Sequence, residues 1–107
     1  MDDKRKFARV PISTEIWIGQ DGIFTRTPER LRDLSEGGTC VETRQRFSVG
    51  NIFNLGFTLP ASSHRISCSV LVRNLRSDSG LGVEFLDLSA EDRYLIRTYI
   101  EEQAALS

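Results

Sequence analysis

The stretch Phe53-Asn54-Leu55-Gly56-Phe57-Thr58-Leu59-Pro60, followed after a short serine loop by Ile66-Ser67-Cys68-Ser69-Val70-Leu71-Val72, alternates apolar and polar residues almost without fault. In a strand, successive side chains point to opposite faces, so a period of two marks a sheet with one face in a core and one in water. Pro60 and the Ala61-Ser62-Ser63 loop stop the first strand and let the chain turn back into the second. The same period extends outward in both directions. Val10, Ile12, Thr14, Ile16 and Ile18 form one apolar face, predicted as a single strand, and Gln20-Asp21-Gly22 then signals a turn. A second strand is predicted from Ile23 through Leu31 to Leu34, with Pro28 at an edge or bulge because proline cannot donate to a ladder. After Glu36-Gly37-Gly38 comes a short strand at Thr39–Thr43, then a turn at Val49-Gly50. Ser77-Asp78-Ser79-Gly80 closes a hairpin into Val83 and Phe85. At the end the period changes: Ser89 with Asp92 three residues on is a helix start, and Leu95, Ile96, Tyr99 and Ile100 form one helical stripe. Five or six short strands with frequent turns predict an antiparallel barrel or sandwich, with one C-terminal helix at about 89–104 packed on it or plugging one end.

At 107 residues, 39% hydrophobic and 27% charged, the chain is sized and composed for one globular domain with its own core. No apolar run approaches the roughly 18 residues of a membrane span, so no membrane insertion is expected. The start, Met1-Asp2-Asp3-Lys4-Arg5-Lys6, runs directly into charge, which argues against a signal peptide and for a cytoplasmic protein. Cys40 and Cys68 both fall in strand segments in phase with apolar neighbours and are expected as buried, reduced thiols; a disulfide would require their strands to pair. With no CxxC pair and His64 the only histidine, neither a zinc site nor Cys-His catalysis has its parts. The net charge of −1 hides an asymmetry. Lys4, Arg5, Lys6 and Arg9 crowd the first nine residues, read as a flexible basic arm (1–9) ahead of the domain (10–107), while the last stretch is mostly acidic.

Two constellations carry chemistry. In Arg5-Lys6-Phe7-Ala8-Arg9, two guanidiniums on an arm can converge on one ligand, gripping phosphate bidentately and stacking on a purine. The alternative is a solvated basic terminus. In Asp33-Leu34-Ser35-Glu36-Gly37-Gly38, a carboxylate at a strand end can accept the side-by-side N1–H and N2–H₂ donors of guanine. Ser35 adds a hydroxyl, and the glycines permit close approach to the backbone. The alternative is a serine or Asx turn closing on its own backbone before a glycine hairpin.

Arg-x3-Arg, then Asp-x-Ser-x-x-Gly, then a strand-rich segment with Gly80-x-Gly82-x-x-Phe85 and one terminal helix, resembles the PilZ domain family in order and spacing. The likeness spans Arg5 to about Ile100, and both motifs match without a departure. It implies a six-stranded antiparallel β-barrel with one C-terminal helix and a bacterial receptor for cyclic di-GMP. By the family pattern Arg5 and Arg9 hold phosphate and stack on guanine, Asp33 and Ser35 read a guanine edge, and Gly38 leaves room for the ligand. The residue before the first arginine, which influences whether one ligand or an intercalated pair is bound, is Lys4. Arg73, on a late strand, is a further residue within possible reach. Trp17, opposite in phase to Ile16 and Ile18, is either a surface residue that binds a partner or, the reading preferred, a residue packed under the helix.

The mechanism implied is an arm that orders on the barrel when ligand binds and so signals to a downstream effector protein, the domain itself being a monomer or weak dimer that needs no metal or cofactor. The main rival is a PilZ-like adaptor that contacts proteins and binds no nucleotide. A barrel for single-stranded nucleic acid would want a basic face with stacking aromatics, against which stand 8% aromatics and a pI near 5.8. An enzyme would want a nucleophile–base pair, and Asp33 with Ser35 has no histidine or lysine base at a motif spacing.

Overall fold

A computed structural model of the chain describes residues 9–20, 23–43, 45–60, 62–76 and 80–106, with the backbone alone for 23–29. Seven strands and a helix follow in order: β1 (Val10–Pro11), β2 (Glu15–Gln20), β3 (Ile23–Leu34), β4 (Gly38–Glu42), β5 (Ile52–Thr58), β6 (Arg65–Leu75), β7 (Gly80–Phe85) and α1 (Ala90–Ala105). All pairings are antiparallel. The strands run β3-β2-β5-β6-β7-β4, and β4 pairs back onto β3, so six strands close a barrel with the two-residue β1 as an annex on β3. Closure removes the sheet edges that would otherwise present unpaired backbone groups.

The alternating segments become staves. Phe53, Leu55 and Phe57 of β5 and Ile66, Cys68, Val70 and Val72 of β6 turn inward with Ile16, Ile18, Leu31, Leu34, Val41, Leu81, Val83 and Phe85. Burying one such side chain contributes about 1.5–3 kcal/mol, so this set, rather than the ladders alone, selects the register. A slip of one residue would turn every one of them into water.

The expected single strand from Val10 to Ile18 is interrupted. Residues 12–14 leave the ladder between β1 and β2, although Val10, Ile12, Thr14, Ile16 and Ile18 all remain buried. The cause is β3, whose register against β2 jumps from Glu15↔Arg30 to Ile16↔Thr27, leaving Pro28 and Glu29 as extra residues. Pro28 thus sits at the irregularity its missing N–H demands. The partner strand crosses that bulge on two longer bonds, Leu31 N–H to Thr14 O and Ile12 N–H to Arg32 O, both 3.3 Å.

The turn at Val49-Gly50 is present, and Gly50 takes φ of +95°, a conformation that favours glycine. Asp21-Gly22 and Ser77-Asp78-Ser79 lie outside the described residues; their flanks are joined by the Gln20↔Ile23 pair and by Arg76 N–H donating to Gly80 O at 2.8 Å. Cys40 on β4 and Cys68 on β6 are buried thiols, kept apart by β7, which runs between their strands.

Helix α1 begins at Ser89, whose Oγ accepts from the Asp92 N–H at 3.0 Å, and Glu91 and Asp92 place negative charge on the positive end of the helix dipole. Ile96 and Ile100 enter the core, with Leu95 and Tyr99 packed against it. The Asp92 carboxylate also pairs with His64 Nε2 at 2.8 Å, tying the β5–β6 loop to the helix. Trp17 does not take the place expected for it under the helix. It lies half-buried on the outer wall opposite Gly56, with the Arg65 guanidinium 4.1 Å above its ring. Among the described residues no helix is long and apolar enough to cross a membrane.

Candidate functional site

The Asp-x-Ser-x-x-Gly stretch forms the tight connection between β3 and β4. Ser35 N–H donates to Gly38 O at 2.9 Å, Ser35 Oγ donates to the same carbonyl at 3.1 Å, and Gly38 N–H donates back to Ser35 Oγ at 3.2 Å. Ser35 is 4% exposed, and its hydroxyl is consumed by the turn it sits in. Gly38 faces β7 so closely that a Cβ built there would stand 2.1 Å from Val83 O. The glycine is therefore required first by the β4–β7 contact. Gly37 O accepts from Phe85 N–H at 2.9 Å, which fastens the turn to β7 as well.

Asp33 is left to face outward. Its carbonyl accepts from Thr39 Oγ1, and its carboxylate accepts from Arg9 Nη1 at 2.8 Å. β1 explains the meeting: Val10 pairs with Leu34 and Pro11 with Asp33, so the residue before β1 is delivered to the end of β3. Two residues 24 positions apart thus meet, and the first of them, Arg9, lines a cleft. Both side chains remain partly exposed, 35% for Arg9 and 22% for Asp33, so either can be drawn to a ligand. Lys4 and Arg5 lie outside the described residues.

The cleft beside them has a volume of about 290 Å³, near the lower bound for small-ligand sites. Arg9, Arg73 and Arg76 supply positive charge against Glu84 alone among its charged lining residues; Ser35, Gly37, Gly38, Asn74, Gly82 and Val83 complete the lining. Arg73 does reach this cleft, where its Nε is held by Glu84 Oε1 at 3.2 Å. Of the expected residues, then, Arg9, Ser35 and Gly38 line the cleft, and Asp33 holds Arg9 at its lip. Arg76 and Asn74 escaped the sequence reading, which noted Gly82 in the Gly80-x-Gly82-x-x-Phe85 stretch but gave it no part in the site. The signal for them was the loss of alternation after Val72, together with the glycine pair on the facing strand. A second cavity of about 480 Å³, lined in part by Arg46, Phe47, Leu75 and Arg76, adjoins through the shared Arg76. Behind the turn, Glu36 accepts from Arg97 Nε of α1 at 3.0 Å, so the site loop and the helix are braced together. Among the described residues no cluster of side chains has the makings of a metal site.

The PilZ domain family model matches residues 3–102. No curated protein sequence matches the chain. Among solved structures, the Bacillus subtilis inhibitor of motility MotI/DgrA superposes with a TM-score of 0.82 at 20% identity, over 99% of this chain. The chain covers 54% of the length of that relative. The Escherichia coli YcgR PilZ domain with c-di-GMP superposes with a TM-score of 0.70 at 16% identity, covering 96% of this chain and 93% of the other. The PilZ domain of CeSA from a cellulose-synthesizing bacterium gives 0.59 at 11% identity, covering 89% and 96%. These likenesses bear on fold, and the match across nearly the whole chain bears on descent: this chain belongs to the PilZ domain family.

Proposed function

We propose that the domain is a receptor for cyclic di-GMP that signals to a partner protein and catalyses no reaction. The observation that supports this best is the Arg9–Asp33 pair at 2.8 Å on the lip of an arginine-lined cleft. A guanine offers O6 and N7 acceptors on one edge, which suit arginine, and N1–H and N2–H₂ donors on the adjoining edge, which suit a carboxylate. An arginine and an aspartate already in contact can exchange their mutual hydrogen bond for two sets of bonds to one base. Arg73 and Arg76 then offer charge to the phosphates, and Lys4 and Arg5 would add to it as the basic arm closes over the ligand. That closure is the output, an ordered arm against the barrel read by a downstream effector in the cytoplasm. The domain works as a monomer or weak dimer and needs no metal or cofactor.

A second reading is an adaptor that binds no nucleotide. It is favoured by Ser35 and Gly38, both of which have complete structural employment in the β3–β4 turn. Isothermal titration with cyclic di-GMP separates the two. Saturable binding by the wild type, weakened about ten- to a hundredfold in Arg9→Ala and lost in Arg5→Ala/Arg9→Ala, supports the receptor, and the molar ratio reports whether Lys4 permits an intercalated pair. A folded wild type that takes up no ligand makes the adaptor the better reading.

A further inference from the structure

Strand β6 keeps strict alternation only as far as Val72. Its register against β7 then slips from Val72↔Val83 to Asn74↔Gly82, leaving Arg73 as an extra residue. Such a bulge re-aims the side chains that follow it. Ile66, Cys68, Val70 and Val72 are buried, and unbroken alternation would send Asn74 inward after them. Instead Asn74 is exposed and lines the cleft beside Arg73, Arg9 and Ser35.

Its seat is made by Gly82. A Cβ built at Gly82 would stand 2.5 Å from Asn74 Oδ1 and 2.9 Å from both Cγ and Nδ2. The amide therefore occupies the volume that any other residue at 82 would claim. Arg73 is engaged by Glu84 and Arg9 by Asp33, whereas the Asn74 side-chain amide has no hydrogen-bond partner among the described residues. A primary amide offers donor and acceptor side by side, and here it lines an arginine-rich cleft with both groups uncommitted among the described residues.

We infer that Asn74 is a specificity-determining residue of this site, its amide pairing with the N2–H₂ and N3 edge of a guanine. The inference rests on the receptor reading. Adenine lacks the N2 amino group, so the contact discriminates between purines. Asp33 covers the N1 side and Asn74 the N2–N3 side, and together they leave adenine with unmatched groups on two fronts.

The test titrates wild type, Asn74→Ala and Asn74→Asp with cyclic di-GMP and with cyclic di-AMP, with thermal melts of each protein. The expected result is about a tenfold loss of cyclic di-GMP affinity in Asn74→Ala, a narrowed preference over cyclic di-AMP, and an unchanged melt. Asn74→Asp loses more, because it replaces the donor to guanine N3 with a negative charge set against that acceptor's lone pair. Gly82→Ala displaces the amide and reproduces the Asn74→Ala loss, and Asn74→Ala/Gly82→Ala is no weaker than either single change. Wild-type affinity for both dinucleotides in Asn74→Ala, or an equal loss for both, overturns the inference and leaves the receptor standing. A folded wild type that binds neither dinucleotide overturns the receptor reading and the inference with it.

Discussion

Replacing Gly38 by alanine tests whether that glycine belongs to the fold or to a ligand. The added Cβ would meet Val83 O at 2.1 Å, with Val83 C at 3.2 Å and Glu84 Cα at 3.3 Å. All three are backbone atoms, so no side chain can swing aside. Relief requires β4 and β7 to part by about 1 Å at the end of a ladder that runs from Gly38↔Glu84 to Glu42↔Gly80. Overpacking of this kind costs about 1–3 kcal/mol. The bond from Phe85 N–H to Gly37 O stands in the same place, and its weakening adds about 1 kcal/mol. A loss of about 3 kcal/mol lowers the melting temperature by roughly 10–20 °C in a domain of this size. The control is Gly56→Ala, where the nearest atom to the new Cβ is Ser67 Oγ at 3.5 Å, an ordinary contact. That change relieves the conformational freedom of a strand glycine and is neutral or stabilising by up to about 1 kcal/mol. Urea denaturation with and without cyclic di-GMP reads both. A Gly38→Ala protein as stable as the wild type but deficient in ligand uptake would refute the reasoning and return Gly38 to the ligand.

Other perturbations have defined outcomes. Arg9→Ala removes an ion pair whose groups both touch solvent, so stability changes by no more than about 1 kcal/mol while titration shows the loss of affinity described above; a large fall in the melting temperature would mean that Arg9 is structural. Burial, reinforced by the negative charges of Asp87 and Asp92, pushes the Cys68 thiol up to about 12 from its ordinary 9.0. The folded state therefore holds a proton that the unfolded state releases, and the stabilisation present below pH 9 is lost as pH rises toward 12. Relative to Cys68→Val, wild-type stability should fall by about 1.4 kcal/mol per pH unit in that window, read by urea denaturation from pH 7.5 to 10.5. Ser89→Ala removes the cap on α1 and costs about 1 kcal/mol, which Ser89→Asp restores. If the domain is the proposed receptor, cyclic di-GMP affinity falls as salt rises, since the arginines would meet the phosphates at a solvent-exposed cleft; affinity insensitive to salt would argue against arginine as the phosphate ligand.

Alternation was legible wherever a segment has one wet and one dry face. Phe53 to Leu59 and Ile66 to Val72 could be assigned to strands and to the core from sequence because the pleat repeats every two residues, whatever the strand pairs with. The start of α1 was legible for the same local reason, a serine hydroxyl reaching the N–H three residues on. The site was legible in part. Asp33 and Arg9 stood out as residues of suitable chemistry, and their order along the chain resembled the PilZ family. That Ser35 spends its hydroxyl inside the turn could be named as an alternative but not chosen, because both uses call for the same residue.

What the sequence by itself determined was periodicity and chemical kind: which faces are apolar, where the chain turns, where a helix begins, and which charged residues are grouped. These follow from local stereochemistry and need no knowledge of neighbours. Proximity was decided by tertiary structure alone. Closure of β4 onto β3 gives the barrel, and the two-residue β1 carries Arg9 to Asp33 across 24 positions of sequence. The bulge at Arg73 turns Asn74 out of the core and over Gly82. Such meetings depend on register and bulges, which are settled by how all the strands pack around one core at once. The carbonyl of Val83, which leaves Gly38 no room for a side chain, belongs to a strand some 45 residues away, and only the closed barrel brings it there.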